Sequence, residues 1–390
     1  MAQPQSETRT MHSLGSSLAR HGDGLARYLP GLALAALVAW VSGWLSGFLG
    51  HTVLGFARSP ISAVTVAILL GLLVSNVVAL PRWLAPGLTF SVKKVLRLGI
   101  ILLGLRLSLF DVFRLGMTGV PIVLIAIIAA LFLTSRLNRW LGLPGRLGTL
   151  IGVGTSICGV SAIVATGPAI EARDEEIAYA VAVITIFGIV ATLVYPYIAY
   201  AVFAGDAVRS GYFMGTAIHD TSQVTGAGMV FADLMQAPRA LDVATVTKLV
   251  RNVFMAAVIP WMAIQHARRT AQTPGESAGL GQLFPLFVVG FVLMAAVRTI
   301  GDAGVRGASL MGGRAFWLWD AAGWQAMHTT VTGWASSLLV VALAAVGLST
   351  RFAAFRGLGI KPFLVGLGAA ASVGLVSVIT ILLLGAAGLC

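Results

Sequence analysis

The sequence predicts an all-α, polytopic membrane protein, because it is apolar throughout, poor in charge and rich in glycine. Of its 390 residues, 58% are hydrophobic and only 10% are charged, whereas a soluble domain of this length needs more polar side chains to cover its surface. Many windows hold about 18 or more apolar residues, the length that crosses a bilayer core of about 30 Å. The 46 glycines suit helices that pack closely in a membrane.

About nine apolar runs are long enough to be full spans. They are 32–49, 61–80, 98–110, 120–133, 177–203, 243–264, 283–297, 334–348 and 363–384. Two further apolar stretches, at about 147–171 and 211–232, are interrupted by small and polar residues. The polar residues 1–30 contain neither the apolar core nor the cleavage site of a signal peptide. They are predicted to be a cytoplasmic tail, which leaves 31–390 as the transmembrane domain.

The net charge of +12 is interpreted as a topology signal, and no nucleic-acid partner is expected. With the N-terminus inside, strict alternation places the densest positive loops in the cytoplasm, which predicts an N-in, C-out protein. Those loops contain Arg82, Lys93, Lys94, Arg97, Arg136, Arg139, Arg146, Arg268, Arg269, Arg351, Arg356 and Lys361. Arg298, Arg306 and Arg314 fall outside on this count. The segment 302–328, with four large aromatic residues, is predicted to lie at the membrane interface.

A short polar pattern occurs twice. Residues 154–161 (GTSICGVS) and 215–222 (GTAIHDTS) share Gly, Thr, Ile and Ser at the same offsets. Backbone groups in hydrocarbon must be paired, so a helix unwinds there only beside protein or a watery cavity. Unwinding exposes the positive N-terminus of the following half-helix, which favours an anion. The alternative is a packing face of small residues. The two stretches are either re-entrant hairpins that enter from opposite faces, or full crossings.

The second copy contains the ionisable pair His219 and Asp220, which is costly inside a membrane and therefore points to a cavity or a partner. Asp220 is a candidate to bind a coupling cation or carry a proton, and His219 is a candidate to titrate near neutral pH or donate a hydrogen bond. The alternative is that Asp220 caps a half-helix beginning near Ser222 and that His219 pairs with it. Candidate substrate-binding residues are Thr155, Ser156, Cys158, Ser161, His219, Thr221, Ser222 and Gln223.

Two cations one helical turn apart, Lys248 and Arg251, are candidates to balance Asp220 or a bound anion. Snorkelling to the interface is the alternative, and Arg106 is predicted to be interfacial. The acidic residues Glu171, Asp174, Glu175 and Glu176 are predicted to form a solvated turn. Cys158 and Cys390 are too far apart to indicate a disulfide framework or a zinc site, and no metal or cofactor is predicted.

Several of these segments resemble the bacterial sulfate exporter family of the inner membrane. They are 154–168 (GTSICGVSAIVATGP), Phe187-Gly188, Tyr195-Pro196, 94–104 (KVLRLGIILLG), 215–228 (GTAIHDTSQVTGAG) and 248–251 (KLVR). That family is similar to the bile-acid, arsenite and riboflavin transporter superfamily. The resemblance implies inverted repeats with crossing discontinuous helices, the candidate residues around a central site, and sulfate or an organosulfonate as substrate.

The leading hypothesis is a secondary transporter that exports a small inorganic or organic anion by alternating access around the two broken helices. A coupling proton or sodium ion is a possible partner. A homodimer, with one bundle moving as an elevator against a dimeric scaffold, is expected by analogy only. The alternatives are an intramembrane hydrolase that uses His219 with Ser161 or Ser222, and a passive anion channel.

Overall fold

The computed structural model describes residues 26–53, 62–270, 286–306, 313–351 and 359–387, and the regular elements in these ranges are all helical. The α-helices in chain order are α1 (Leu29–Gly47), α2 (Ala63–Val77), α3 (Ala85–Phe90), α4 (Leu96–Leu103), α5 (Leu109–Trp140), α6 (Gly145–Ser156), α7 (Val160–Ala169), α8 (Asp174–Phe203), α9 (Ala207–Ala217), α10 (Thr221–Met235), α11 (Arg239–Val253), α12 (Met255–Thr270), α13 (Leu286–Arg306), α14 (Ala321–Ser349) and α15 (Ile360–Ala386). Most of the predicted tail, residues 1–25, lies outside the described residues, and so do Arg356 and Cys390.

Seven helical segments of the described chain are long and apolar enough to cross a membrane, so the chain is a multi-pass membrane protein. They are Leu29–Gly47, Leu109–Trp140, Glu175–Phe203, Arg239–His266, Leu286–Arg306, Ala321–Ser349 and Ile360–Ala386. The predicted span 61–80 corresponds to the shorter helix α2, and the predicted span 98–110 overlaps α4. The count of nine full spans stays a prediction.

The predicted loop around Arg82, Lys93 and Arg97 is wrong, because residues 82–106 are helical throughout. A 3-10 turn (Arg82–Leu84), α3, a π-helical segment (Ser91–Val95), α4 and a second 3-10 turn (Gly104–Arg106) follow one another without a break. Charged side chains within an apolar run were interpreted as a loop, but long Lys and Arg side chains are also compatible with a helix that borders a cavity.

The first broken stretch, α6 and α7, folds back on itself as a helical hairpin. Arg146 at the start of α6 forms an ion pair with Glu171 just after α7, with 3.4 Å between nitrogen and oxygen. Nearer the turn, a Cβ on Gly154 of α6 would lie 2.7 Å from the side chain of Ile163 of α7. Two collinear half-helices would hold these pairs far apart, so the chain reverses at residues 157–159.

The second broken stretch, α9 and α10, forms a hairpin of the same kind. Gly211 and Gly215 of α9 pack against Val243 and Thr247 of α11, respectively, so α9 and α11 run in the same direction. Only residues 236–238 separate α10 from α11, and such a short connection makes the two helices antiparallel neighbours. The chain therefore reverses between α9 and α10, at residues 218–220.

The two hairpins approach each other from opposite ends of the molecule. The helix that separates them, α8, contains 30 residues and is therefore about 45 Å long. The base of the first hairpin adjoins the start of α8, and the base of the second adjoins its end. We call these ends the Glu171 end and the Asp206 end, after the residues at the two hairpin bases.

The helices form two groups whose boundary passes along the second hairpin. Helices α5–α12 and α15, here called the hairpin bundle, pack mainly against one another. Helices α1–α4, α13 and α14, here called the flanking layer, do the same, and α10 of the hairpin bundle contacts α14 and α2. In the flanking layer, Gly71 of α2 and Gly347 of α14 permit a close approach of the two helices, since a Cβ on either would clash with the other's backbone. The boundary between the groups is where the candidate site lies.

Candidate functional site at the hairpin tips

Both helix interruptions fall inside the repeated motif, at the same offset in each copy. The half-helix α6 ends at Ser156 and α7 begins at Val160, while α9 ends at Ala217 and α10 begins at Thr221. We call the two turns, residues 157–159 and 218–220, the hairpin tips. The tips touch, because a Cβ on Gly159 would lie 3.3 Å from Oδ2 of Asp220. Gly159 has a φ of +62° and a ψ of −123°, a backbone conformation that side-chain-bearing residues rarely adopt. Glycine therefore permits both the turn and the contact.

Lys248 of α11 joins the carbonyl ends of the two half-helices behind the tips. Its Nζ donates hydrogen bonds to the carbonyl oxygens of Ile157, at 2.6 Å, Ile218, at 3.2 Å, and His219. The last carbonyl groups of a helix have no partner within the helix and carry partial negative charge. A single ammonium group thus satisfies carbonyls from both hairpins.

Arg251, one turn further along α11, makes a second connection of the same kind. Its Nε donates to the carbonyl oxygen of Ser156 at 2.6 Å, its Nη1 to that of Thr216 at 2.7 Å, and its Nη2 to that of Thr155. Arg251 and Lys248 are both 0% exposed. The alternative that the two cations snorkel to the membrane interface is therefore wrong.

Three predicted binding residues lie behind the tips with these cations. The hydroxyls of Thr155 and Ser156 donate to carbonyls of their own helix, those of Ile151 and Val153. His219 is fully buried, and neither of its ring nitrogens forms a hydrogen bond to a described residue. The prediction that His219 pairs with Asp220 is therefore wrong, because no hydrogen bond joins the two side chains.

In front of the tips, a cleft of about 720 Å³ opens between the hairpin bundle and the flanking layer. It extends from the tips toward the Glu171 end, where Ser349 and Thr350 bound it. Six residues named from the sequence line the cleft. They are Cys158, Ser161, Asp220, Thr221, Ser222 and Gln223.

Asp220 is the N-cap of α10. Its Oδ1 accepts hydrogen bonds from the backbone N–H of Ser222 at 2.9 Å and from the Ser222 hydroxyl at 2.6 Å. The side chain of Gln223 completes a capping box, because its Oε1 accepts the backbone N–H of Asp220 at 3.1 Å. The capping alternative for Asp220 is confirmed, with the helix beginning at Thr221. The N-cap of α7, by contrast, is Gly159, which has no side chain to cap the helix.

The facing wall contains residues that the sequence did not single out for the site. Lys93 and Arg97 of the flanking layer line the cleft, together with Phe287 of α13. The Arg97 guanidinium lies 5.7 Å from the centroid of the Phe287 ring. The one available signal was the spacing of Lys93 and Arg97, since residues four apart share a helix face.

Asn252 is the remaining polar residue at the deep end of the cleft. Its Nδ2 donates to the Thr221 hydroxyl at 3.1 Å, and its Oδ1 is buried without a hydrogen-bond partner among the described residues. An unpaired buried amide oxygen costs free energy.

One further side-chain prediction is corrected. Glu176 is not in a solvated turn: it is 5% exposed and accepts the backbone N–H of Arg173 at 2.9 Å, which caps α8. Its carboxylate finds a hydrogen-bond donor at the start of the helix, as in a capping box. Arg106 lies at the Asp206 end, where its Nε is 2.7 Å from Oδ1 of Asp242 in the hairpin bundle; its interfacial position stays a prediction.

The comparison with known proteins places this chain in a family of membrane proteins. The family model described as conserved hypothetical protein 698 matches residues 30–366. A UPF0324 membrane protein of Streptococcus pneumoniae serotype 4 is 31% identical over 351 residues, which cover 90% of this chain and 94% of the relative. A UPF0324 membrane protein of Streptococcus agalactiae serotype V is 34% identical over 272 residues, 70% of this chain and 77% of the relative. One from Fusobacterium nucleatum is 32% identical over 273 residues, 68% and 73% of the two chains. Matched over most of its length, the chain belongs to this family of UPF0324 membrane proteins.

Proposed function

We propose that this protein is a secondary transporter that exports a small anion, such as sulfate or a sulfonate, by alternating access. The observation that carries the proposal is the charge at the tips. Lys248 and Arg251 are fully buried, and neither forms an ion pair with a described residue. The nearby carboxylate, Asp220, balances one positive charge of the two. Uncompensated buried charge is costly, and an anion in the adjacent cleft lowers that cost.

The hairpins supply hydrogen bonds for such an anion. The N-terminus of α7, which has a glycine as its N-cap, lies at the positive end of a half-helix. Ser161 and Thr221 add hydroxyls to the lining. Paired broken helices of opposite direction are typical of transporters built from inverted repeats, and the opposed hairpins support that architecture here. Asp220 remains the proposed site for a coupling proton or sodium ion.

Alternating access is supported by the contrast between the two ends of the group boundary. The cleft extends toward the Glu171 end. At the Asp206 end, Arg106 pairs with Asp242 at 2.7 Å, and the Ser62 hydroxyl donates to Oδ2 of Asp233 at 2.9 Å. Both contacts join the flanking layer to the hairpin bundle. A carrier that is open at one end and closed at the other has this arrangement, whereas a passive channel needs a continuous pore.

The cytoplasmic side is proposed to be the Glu171 end. Lys93, Arg139, Arg351 and Lys361 lie toward that end and form no ion pair with a described residue. The arginines toward the Asp206 end include four that each pair with an aspartate, Arg106, Arg209, Arg239 and Arg298. Positive residues are enriched on the cytoplasmic side of bacterial inner-membrane proteins. The cleft then faces the cytoplasm, which is the side from which an exporter loads. This assignment keeps the N-terminus cytoplasmic.

A hydrolase is a weaker candidate. His219 does not line the cleft that Ser161 and Ser222 line, and the Ser222 hydroxyl donates to Asp220. A nucleophile and its base need to be within hydrogen-bond reach of each other. No group of His, Cys, Asp and Glu suited to a metal ion occurs among the described residues.

The test is flux in proteoliposomes containing the purified full-length protein. We expect saturable uptake of radiolabelled sulfate or a sulfonate, accelerated by unlabelled anion on the opposite side. Flux that rises linearly with concentration and shows no counter-flow would indicate a channel, and a chemically altered product would indicate an enzyme.

A further inference from the structure

We infer that the cleft takes an organic anion with an apolar body, in preference to a bare inorganic oxyanion, and that Lys93 and Arg97 recognise its charge while Phe287 contacts its body. This inference rests on the proposed function, because it names the class of anion that the same cleft binds.

The cleft is large enough to hold an organic ligand. Pockets for organic ligands are commonly about 300–1,000 Å³ and lined mainly by apolar side chains with a few placed polar groups. This cleft has about 720 Å³. A tetrahedral oxyanion occupies a small part of that space, and the rest would have to stay filled with water against apolar walls.

Both walls of the cleft contain apolar side chains. Apolar side chains come from both helix groups: Leu96, Ile100 and Phe287 on the flanking layer, and Ile184 and Met255 on the hairpin bundle. Water in contact with such surface is unfavourable, and a solute that covers the surface gains free energy in proportion to the apolar area covered. Sulfate gains nothing from contact with this apolar surface, because its oxygens need hydrogen-bond donors.

The wall that the flanking layer contributes is positively charged. Lys93 and Arg97 line the cleft and form no ion pair with a described residue. Asp220 is the one acidic residue of the lining, so the cleft carries a net positive charge. Arg97 also stacks near the Phe287 ring, which places cationic and apolar recognition side by side.

The experiment measures binding to the full-length protein in lipid nanodiscs by calorimetry. The probes are sulfate, then methane-, butane- and hexanesulfonate, with butanol and hexanol as uncharged controls of equal chain length. We expect affinity to rise about fourfold for each added methylene group that the cleft buries, and the alcohols to bind far more weakly than the sulfonates.

The variants separate charge from apolar contact. Phe287→Ala is expected to flatten the dependence on chain length. Lys93→Gln and Arg97→Gln are expected to remove most of the preference for sulfonate over alcohol. Lys94→Gln is the matched control, since Lys94 is exposed and does not line the cleft; it should behave as wild type.

The outcomes distinguish this inference from the proposed function. Sulfate that binds as tightly as hexanesulfonate, or a chain-length series unchanged by Phe287→Ala, overturns the inference and leaves the anion carrier intact. Absence of binding and of transport for every anion overturns both.

Discussion

Lys248 donates a 2.6 Å hydrogen bond to the carbonyl oxygen of Ile157, a residue 91 positions earlier in the chain. The bond links the span that follows the second hairpin to the tip of the first. Together with Arg251, it makes the two interruptions one structural unit. The positive charges of Lys248 and Arg251 therefore belong to the support behind the tips and do not line the cleft.

Lys248→Met is expected to destabilise the protein, because it leaves carbonyl groups of both tips without a donor. Each unsatisfied buried group costs about 1–3 kcal/mol. The measurement is the unfolding midpoint in detergent, with Lys94→Met as the exposed control. A variant that loses transport while keeping the wild-type midpoint would show that Lys248 acts on the substrate and has little structural role.

Two substitutions of Asp220 separate its charge from its cap. Asparagine is as good an N-cap as aspartate, whereas alanine costs about 0.5–2 kcal/mol. Asp220→Asn is therefore expected to keep expression and stability but to abolish coupled transport, and Asp220→Ala to lose both. Wild-type flux by Asp220→Asn in proteoliposomes would remove the carboxylate from the mechanism.

Gly159→Ala is expected to disturb the meeting of the tips. The positive φ of Gly159 and the nearness of Asp220 predict a cost of about 1–3 kcal/mol for a side chain there. Gly145→Ala is the matched control, because a Cβ on Gly145 meets nothing within 4 Å. Thermal unfolding and anion binding should both fall for the first variant and be unchanged for the second. Equal behaviour of the two would contradict the account of the tip.

The Arg106–Asp242 pair is expected to hold the Asp206 end closed. Arg106→Asp and Asp242→Arg should each weaken that closure, and the double variant should recover it, with a coupling of about 0.5–3 kcal/mol. The readout is the rate at which a thiol introduced at Thr245, buried one helical turn from Asp242 on α11, reacts with an impermeant reagent from that side in the absence of the native cysteines. Additive single effects would show that the two residues act separately.

The sequence predicted the interruptions but not what lies behind them. The glycines and hydroxyls around Thr155 and Thr216 mark places where a membrane helix can unwind, and this local signal is visible in the chain itself. The face that α11 turns toward the tips depends on how three distant segments pack. The sequence therefore indicates that Lys248 and Arg251 are important but does not identify their partners, backbone carbonyls 29 or more positions away.

The facing wall of the cleft was missed for a different reason. Lys93 and Arg97 lie in a helical run that a hydropathy argument divides into loop and span, because it assigns charge to the aqueous side of a membrane. A helix that borders a wet cleft breaks that assumption. Phe287 carries no signal of its own, since an aromatic residue at the start of an apolar helix is ordinary.

The most direct test of the central claim is protection, by the transported anion, of a cysteine introduced at Ser161. Ser161 is exposed and lines the cleft, whereas the native Cys158 is buried, so labelling of a transport-competent Ser161→Cys variant that lacks Cys158 and Cys390 reports solute at the site. Membrane vesicles of known orientation are treated with an impermeant thiol reagent over a range of sulfonate concentrations. The account predicts labelling from the cytoplasmic side, slowed by the anion with the same half-saturation as transport; labelling that no transported anion slows would contradict it.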